Sequence, residues 1–267
     1  MTEPAGPDQV LDQVRVRRAE LARNLAEITA RIGAACAAAG RDESEITLIA
    51  VTKTRPASDV LALAALGLTD FGENRDQEAA AKAAEVAEVA EVARAAGAAA
   101  LAAAPAAITW HFIGQLQTNK APSVAGYAEV VHSVDRVRLA RALGAAARAA
   151  RAHRTGRPLT CLVQVSLDGD PARGGLPLGA FSQVAEAIEA EDGLVLGGVM
   201  AVAPLGVAAE KAFEPLRAVS AEARAINPAA TMISAGMSDD LEAAVQCGAT
   251  HLRIGTALLG NRRPPVL

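Results

Sequence analysis

Aromatic side chains are scarce in this sequence. Of 267 residues, four are Phe, one is Trp and one is Tyr. Rings cannot fill the core, which must be built from Leu, Ile, Val and Ala packed closely because each is small. Cysteines are few and dispersed: Cys36, Cys161 and Cys247 form no CxxC pair. That pattern argues against a disulfide framework or a zinc site, and for a reducing compartment. A basic surface is lacking too. The formal net charge is −4 at pH 7, which disfavours nucleic acid as a principal partner. The longest apolar runs, around 95–108 and 194–209, are shorter than a membrane span and rich in Ala, Gly or Pro. The opening "MTEPAGPDQV" has no basic end followed by an apolar stretch, so no secretory signal is expected. These absences lead to the expectation of a soluble, cytoplasmic protein that engages neither membrane nor nucleic acid.

What is present is alternation. Val10, Leu11, Val14, Leu21, Leu25, Ile28 and Ile32 recur at helical spacing and predict a helix over 8–39, with Gly40 as its C-terminal cap. Short apolar segments follow at 46–52, 68–71, 108–113, 129–132, 159–166, 194–202, 230–233 and 250–254. Helical stretches separate them at 57–66, 75–104, 118–126, 135–152, 177–190, 207–225 and 239–247. Eight strands alternating with helices predict a (β/α)8 TIM-type barrel over 45–262, preceded by the helix within 8–40, as one domain spanning 1–267. A doubly wound open sheet is the alternative. The alanine-rich stretch 79–107 reads as a long, partly exposed helix ending near Pro105, with no function assigned.

In such a barrel, function collects where strands end. The first segment, "EITLIAVTKTRP", ends on Lys53. The second gives "DFGENRDQE", where Gly72 permits a tight turn and Asn74 offers an amide. The seventh gives "ISAGMSDD" and the eighth "RIGTALLG". Loops after strands seven and eight commonly hold phosphate through backbone N–H groups that glycine lets come close. Ser234 and Gly236 lie in the first of these loops, Ser238 is placed to cap the helix after it, and Gly255 and Thr256 open the last turn. Each alone fits ordinary capping; their adjacency points to an anion. Strand one neighbours strand eight in a closed barrel, so the Lys53 amine would face that cradle. Partly desolvated there, it becomes a better Schiff-base nucleophile. An amine beside a phosphate cradle suits pyridoxal 5′-phosphate, with Arg253 facing its pyridine nitrogen.

At these residues the sequence resembles the pyridoxal-phosphate homeostasis family, related to the N-terminal barrel of alanine racemase. The resemblance rests on "AVTKTRP", "FGEN..QE", "WHFIGQLQTNK", "HSVDR", "GGVMAVAP" and "GMSDDLEAAV..GAT.LRIGTALLG", in order over residues 45–260. It implies that Lys53 carries the Schiff base and that Asn74 lies close to the cofactor. It also implies that Arg253 keeps the pyridine nitrogen unprotonated, while Ser234 or Ser238, with Gly255 and Thr256, holds the phosphate. The implied function is carriage or buffering of the cofactor without established turnover, by a monomer, with apoenzymes that need the cofactor as possible recipients. The chain departs from the family's usual pattern at Arg75 and Asp76, where Tyr-Val is common, at Ala235, where a larger residue is common, and in the length of 79–107.

Two other functions compete. An amino-acid racemase would use the same lysine but needs an acid on the opposite face, which alanine racemase takes from a tyrosine of a second domain. This chain ends a few residues after the expected barrel and has one tyrosine, Tyr127, which favours the carrier. A barrel binding another phosphorylated metabolite would use Lys53 only for its charge. His111 and His132 could transfer protons, although lone strand-end histidines are more often structural. Asp239 and Asp240 in a helix's first turn fit the helix dipole, and no metal is expected.

Overall fold

A parallel barrel buries each strand on both faces and each crossover helix on one, which is the pattern the sequence alternates. In the computed structural model, which describes residues 7–95, 108–150, 156–170, 173–204 and 206–260, eight strands satisfy it. They are β1 (Thr47–Val51), β2 (Asp70–Glu73), β3 (Thr109–Phe112), β4 (Val130–Val134), β5 (Leu159–Ser166), β6 (Leu194–Met200), β7 (Met232–Ser234) and β8 (His251–Ile254). Each pairs in parallel with the next, β4 joins β5, and β8 returns to β1, so the sheet closes. A two-residue strand, Leu176–Pro177, adds to the end of β5. Closure excludes the doubly wound sheet.

Helix α1 (Pro7–Ala39) comes first. Its buried Leu21, Ile28, Ile32, Ala35 and Cys36 share one stripe. Gly40 ends it at φ 65°, and the Arg41 N–H donates to the Cys36 carbonyl at 2.9 Å, as in a Schellman motif. The outer layer then runs α2 (Ala57–Ala64), α3 (Asp76–Ala95), α4 (Ala121–Tyr127), α5 (Val137–Ala149), α6 (Phe181–Glu189), α7 (Ala209–Phe213), α8 (Leu216–Ile226), α9 (Leu241–Gln246) and α10 (Thr256–Leu259).

Several boundaries differ from expectation. The second strand starts two residues later than 68–71 and includes Gly72 and Glu73. Gly72 is therefore a strand residue facing the barrel interior, where a Cβ would sit 3.0 Å from Ile49 and 3.2 Å from Ile113. Charged Glu73 reads as loop in sequence, yet it can be buried because Lys82 reaches it from α3. The stretch 207–225 breaks into two helices with Pro215 between them. Ser238 does not cap α9: Asp240 stands at that N-cap. The expected helix 75–104 is seen as α3 to Ala95, and the rest of the stretch, with Pro105, lies outside the described residues.

Parallel register sets which side chains share the interior, since paired residues face the same side. Arg253 pairs with Ile49 and Ile49 with Asp70; Val51 pairs with Gly72, Gly72 with His111, and Ser234 with His251. Val130, Leu162 and Met200 form an apolar cluster separate from the larger core between sheet and helices. The barrel interior is thus divided: apolar toward β5 and β6, and polar from β2 through β4 and across to β7 and β8.

Candidate functional site

The chain after β1 is held from behind. Thr52 is fully buried, its hydroxyl donates to Glu73 Oε1 at 2.7 Å, and its carbonyl accepts from Lys82 Nζ at 2.8 Å. Lys82 Nζ also bonds Glu73 Oε1 at 2.6 Å and Glu78 Oε1 at 3.2 Å, and Glu78 in turn accepts from the Thr54 N–H. Lys53, half-buried, stands between two residues that this carboxylate–ammonium cluster grips. Thr54 takes φ 64°, a left-handed conformation that a β-branched residue adopts only when its surroundings impose it. Glu73 is fully buried, and burial pushes its carboxyl up against the opposing pull of Lys82 and Thr52.

Arg253 crosses the interior from β8. Its Nη1 donates to Ser234 Oγ at 2.5 Å and its Nη2 to the Ala201 carbonyl at 2.8 Å. Burial lowers its pKa to about 10, against an upward pull from Asp240, so it stays charged near neutral pH. Ser234 is fully buried on the strand, and its hydroxyl lies between Arg253 and His132, whose Nδ1 is 2.8 Å away.

The loop after β7 and the turn after β8, where the sequence predicts an anion cradle, are tied together and braced by α1. Ser238 Oγ accepts from the Ala257 N–H at 3.2 Å, linking the loop after β7 to the turn after β8. Arg31 of α1 donates to the Ser238 carbonyl at 3.0 Å, Asn24 to the Leu258 carbonyl at 2.9 Å and Arg17 to the Leu259 carbonyl at 3.2 Å. Gly236 lies at φ 92°, and a Cβ there would come within 2.6 Å of Ala244 and 2.8 Å of Leu252. No other residue fits both constraints. Gly255 opens α10, whose first side chain, Thr256, is exposed. Beyond β2, the Asn74 side-chain oxygen is buried with no hydrogen-bond partner among the described residues. Gly114 allows the Asn74 backbone to pass, since a Cβ there would overlap the Asn74 carbonyl.

Lys53, Asn74, Ser238, Arg253, Gly255 and Thr256 therefore follow or end strands β1, β2, β7 and β8, and Ser234 lies inside beside Arg253. Reading the sequence missed Lys82, Glu73 and Glu78 as supports of Lys53. The available signal was the spacing of Glu78 and Lys82, an i,i+4 pair in α3.

Three of the chain's four histidines, His111, His132 and His251, are buried in the interior. Burial, helped by the nearby Arg253 charge and opposed by Asp70, lowers His251 from 6.5 to about 4. A histidine kept neutral when folded contributes stability above its unfolded pKa and loses it as pH falls toward the folded one. Acidification from pH 7 to 4.5 should therefore cost roughly 2–3 kcal/mol through His251 alone. Glu73 works in the opposite direction over an overlapping range, so the comparison must be with His251→Gln. Urea unfolding should show a smaller acid-induced loss in that variant; an equal loss in both proteins would contradict the assignment.

The profile of the alanine racemase N-terminal domain family matches residues 17–263. The pyridoxal phosphate homeostasis protein of Mycobacterium tuberculosis is 44% identical over 251 residues, covering 92% of this chain and 95% of that protein. The structure of PipY from Synechococcus elongatus with pyridoxal phosphate bound superposes with a TM-score of 0.71 at 31% identity, covering 90% of this chain and 100% of that one. Alanine racemase from Corynebacterium glutamicum shares the fold, with a TM-score of 0.60 at 16% identity over 94% of this chain and 62% of that one.

Proposed function

We propose, since the chain belongs to the family of pyridoxal phosphate homeostasis proteins, that it holds and buffers pyridoxal 5′-phosphate through Lys53 without turning over amino acids. The bound cofactor supplies an aldehyde that condenses with a primary amine, releasing water. The observation that carries the reading is Lys53, gripped on both sides at the mouth of β1 while β8 beside it brings Arg253 and the Gly255–Thr256 turn. The residues present fit the group. A buried cation backed by Ser234 suits a ring nitrogen acting as an acceptor, and the orphaned Asn74 oxygen lies beside the same mouth. Ser234 is committed to Arg253 and His132, so we assign phosphate holding to Ser238, Gly255 and Thr256.

Bonds to charged groups contribute roughly 1.5–3 kcal/mol, so Thr256→Ala should weaken cofactor retention about ten-fold or more. Pyridoxal lacking the phosphate should bind poorly to the wild type. Equal affinity for pyridoxal and its phosphate, measured by equilibrium dialysis, would refute the cradle.

The carrier reading is preferred to a racemase on two grounds. The chain's one tyrosine, Tyr127, closes α4 in the outer helical layer, and burial with the Asp76 and Glu73 charges raises its pKa. Arg253 donates hydrogen bonds only, so a ring nitrogen facing it stays unprotonated and withdraws electrons weakly. General acid–base help is typically worth roughly 10²–10⁴-fold, so α-proton exchange of L-alanine in D2O should be slow and leaky. Racemisation near the ~10 s⁻¹ typical of enzymes, abolished by Lys53→Ala, would establish the racemase instead.

A further inference from the structure

Behind Arg253 a chain of hydrogen bonds runs through the barrel to its far end. Ser234 Oγ meets His132 Nδ1 at 2.8 Å, His132 Nε2 meets His111 Nδ1 at 2.9 Å, and His111 Nε2 meets Asp70 Oδ1 at 2.8 Å. Asp70 is the first residue of β2, so the chain starts at the end of the barrel opposite the strand ends that bear Lys53 and Thr256. Its other oxygen accepts from Thr69 Oγ1 at 2.6 Å.

We infer that Asp70, His111 and His132 are positioning residues, a one-way donor relay that fixes the Ser234 hydroxyl and through it the guanidinium of Arg253. The direction follows from chemistry link by link. Burial alone would raise the Asp70 carboxyl, but the hydrogen bonds from His111 and Thr69 outweigh it, so Asp70 is ionised and can only accept. His111 must then donate through Nε2, and with one proton on the ring its Nδ1 is an acceptor. His132 must donate to it through Nε2 and accept at Nδ1. Ser234 must donate to that nitrogen, so its lone pairs are turned toward Arg253, which can only donate. Every bond is satisfied with both rings neutral. The surroundings of His132 also favour a neutral ring: burial and the Arg253 charge push its pKa down.

The opposite polarity fails at both ends. It would set an unprotonated His111 nitrogen against the Asp70 carboxylate, and, with Ser234 accepting from both His132 and Arg253, would leave the buried Ser234 O–H without an acceptor among the described residues. A buried polar cluster needs its bonds satisfied but no particular direction; here an anion and a cation at the two ends impose one. The relay so oriented keeps Ser234 from rotating toward a ligand and holds Arg253 at the position where the proposed function needs a fixed donor. The inference rests on that reading for its purpose but not for its tautomers.

The test uses the ligand-free protein labelled with 15N-histidine, with signals assigned from single His→Gln variants. At neutral pH, His111 and His132 should both carry the proton on Nε2 with Nδ1 bare. Asp70→Asn can donate as well as accept, so it removes the constraint on direction. It should bring an Nδ1-protonated population to His132, a ring that residue 70 does not touch. The same variant, loaded with pyridoxal phosphate, should retain it about three- to ten-fold less tightly, as members of one network couple. A wild-type His132 protonated at Nδ1, or His132 signals unchanged by Asp70→Asn, would overturn the relay. Unchanged cofactor affinity alongside the tautomer change would overturn its positioning role. Absence of cofactor binding in the wild type would instead strike the proposed function and leave the tautomer result standing.

Discussion

Lys82→Ala is expected to destabilise the protein by about 3–5 kcal/mol, the loss typical when one partner of a buried ion pair is removed. Glu73 would be left fully buried with one oxygen already lacking a partner and the other bonded only to Thr52. The Thr52 carbonyl would lose its donor at the same time. Pairing Lys82→Met with Glu73→Gln removes both charges at similar volume and should recover at least half of the loss. Urea denaturation of the three proteins measures it. A loss below about 1 kcal/mol for Lys82→Ala, the range of exposed pairs, would show that the cluster is not sealed from water. Because the cluster holds both neighbours of Lys53, the double variant should regain stability while still retaining cofactor less well than the wild type.

Lys53→Ala should have the largest functional effect. The side chain is half-buried where Lys82 is buried, so its loss should cost less stability than Lys82→Ala. Cofactor retention should fall on the order of 100-fold or more, about 2.7 kcal/mol, because only contacts to Arg253 and the cradle remain. The purified variant should lose its near-visible absorbance on desalting. Lys82, whose amine is already committed to Glu73, Glu78 and the Thr52 carbonyl, should not substitute for it. Retained absorbance in Lys53→Ala would place the reactive amine elsewhere.

Much of this was legible in the sequence because it is local. The barrel follows from alternation and period, and the β7 and β8 loops from Ser and Gly placed just past apolar runs. Gly236 could be read as a glycine of function, although its true constraint, the crowding of Ala244 and Leu252, is visible only in three dimensions. What escaped reading depends on partners far apart in sequence. Ser234 looks like a cradle hydroxyl until His132, more than a hundred residues earlier, is found on its far side. His111 and His132 look like unrelated strand histidines until adjacent parallel strands bring their rings together. Gly72 and Glu73 look like a turn because nothing local announces that Lys82 will neutralise a buried carboxylate. Ser238 does not supply the expected cap: its hydroxyl accepts from the Ala257 N–H, and Asp240, which stands at the N-cap, accepts from the Met237 N–H before the helix.

Borohydride reduction followed by peptide mass spectrometry tests the central claim, that Lys53 holds the cofactor, most directly. Reduction converts a C=N bond between cofactor and lysine into a stable amine, so the label stays on the residue that held it. The pyridoxyl mass should be found on the peptide containing Lys53, at high occupancy, and be absent from that position in Lys53→Ala. Labelling confined to Lys82, Lys120 or Lys211, or no label on a protein that binds the cofactor, would contradict it.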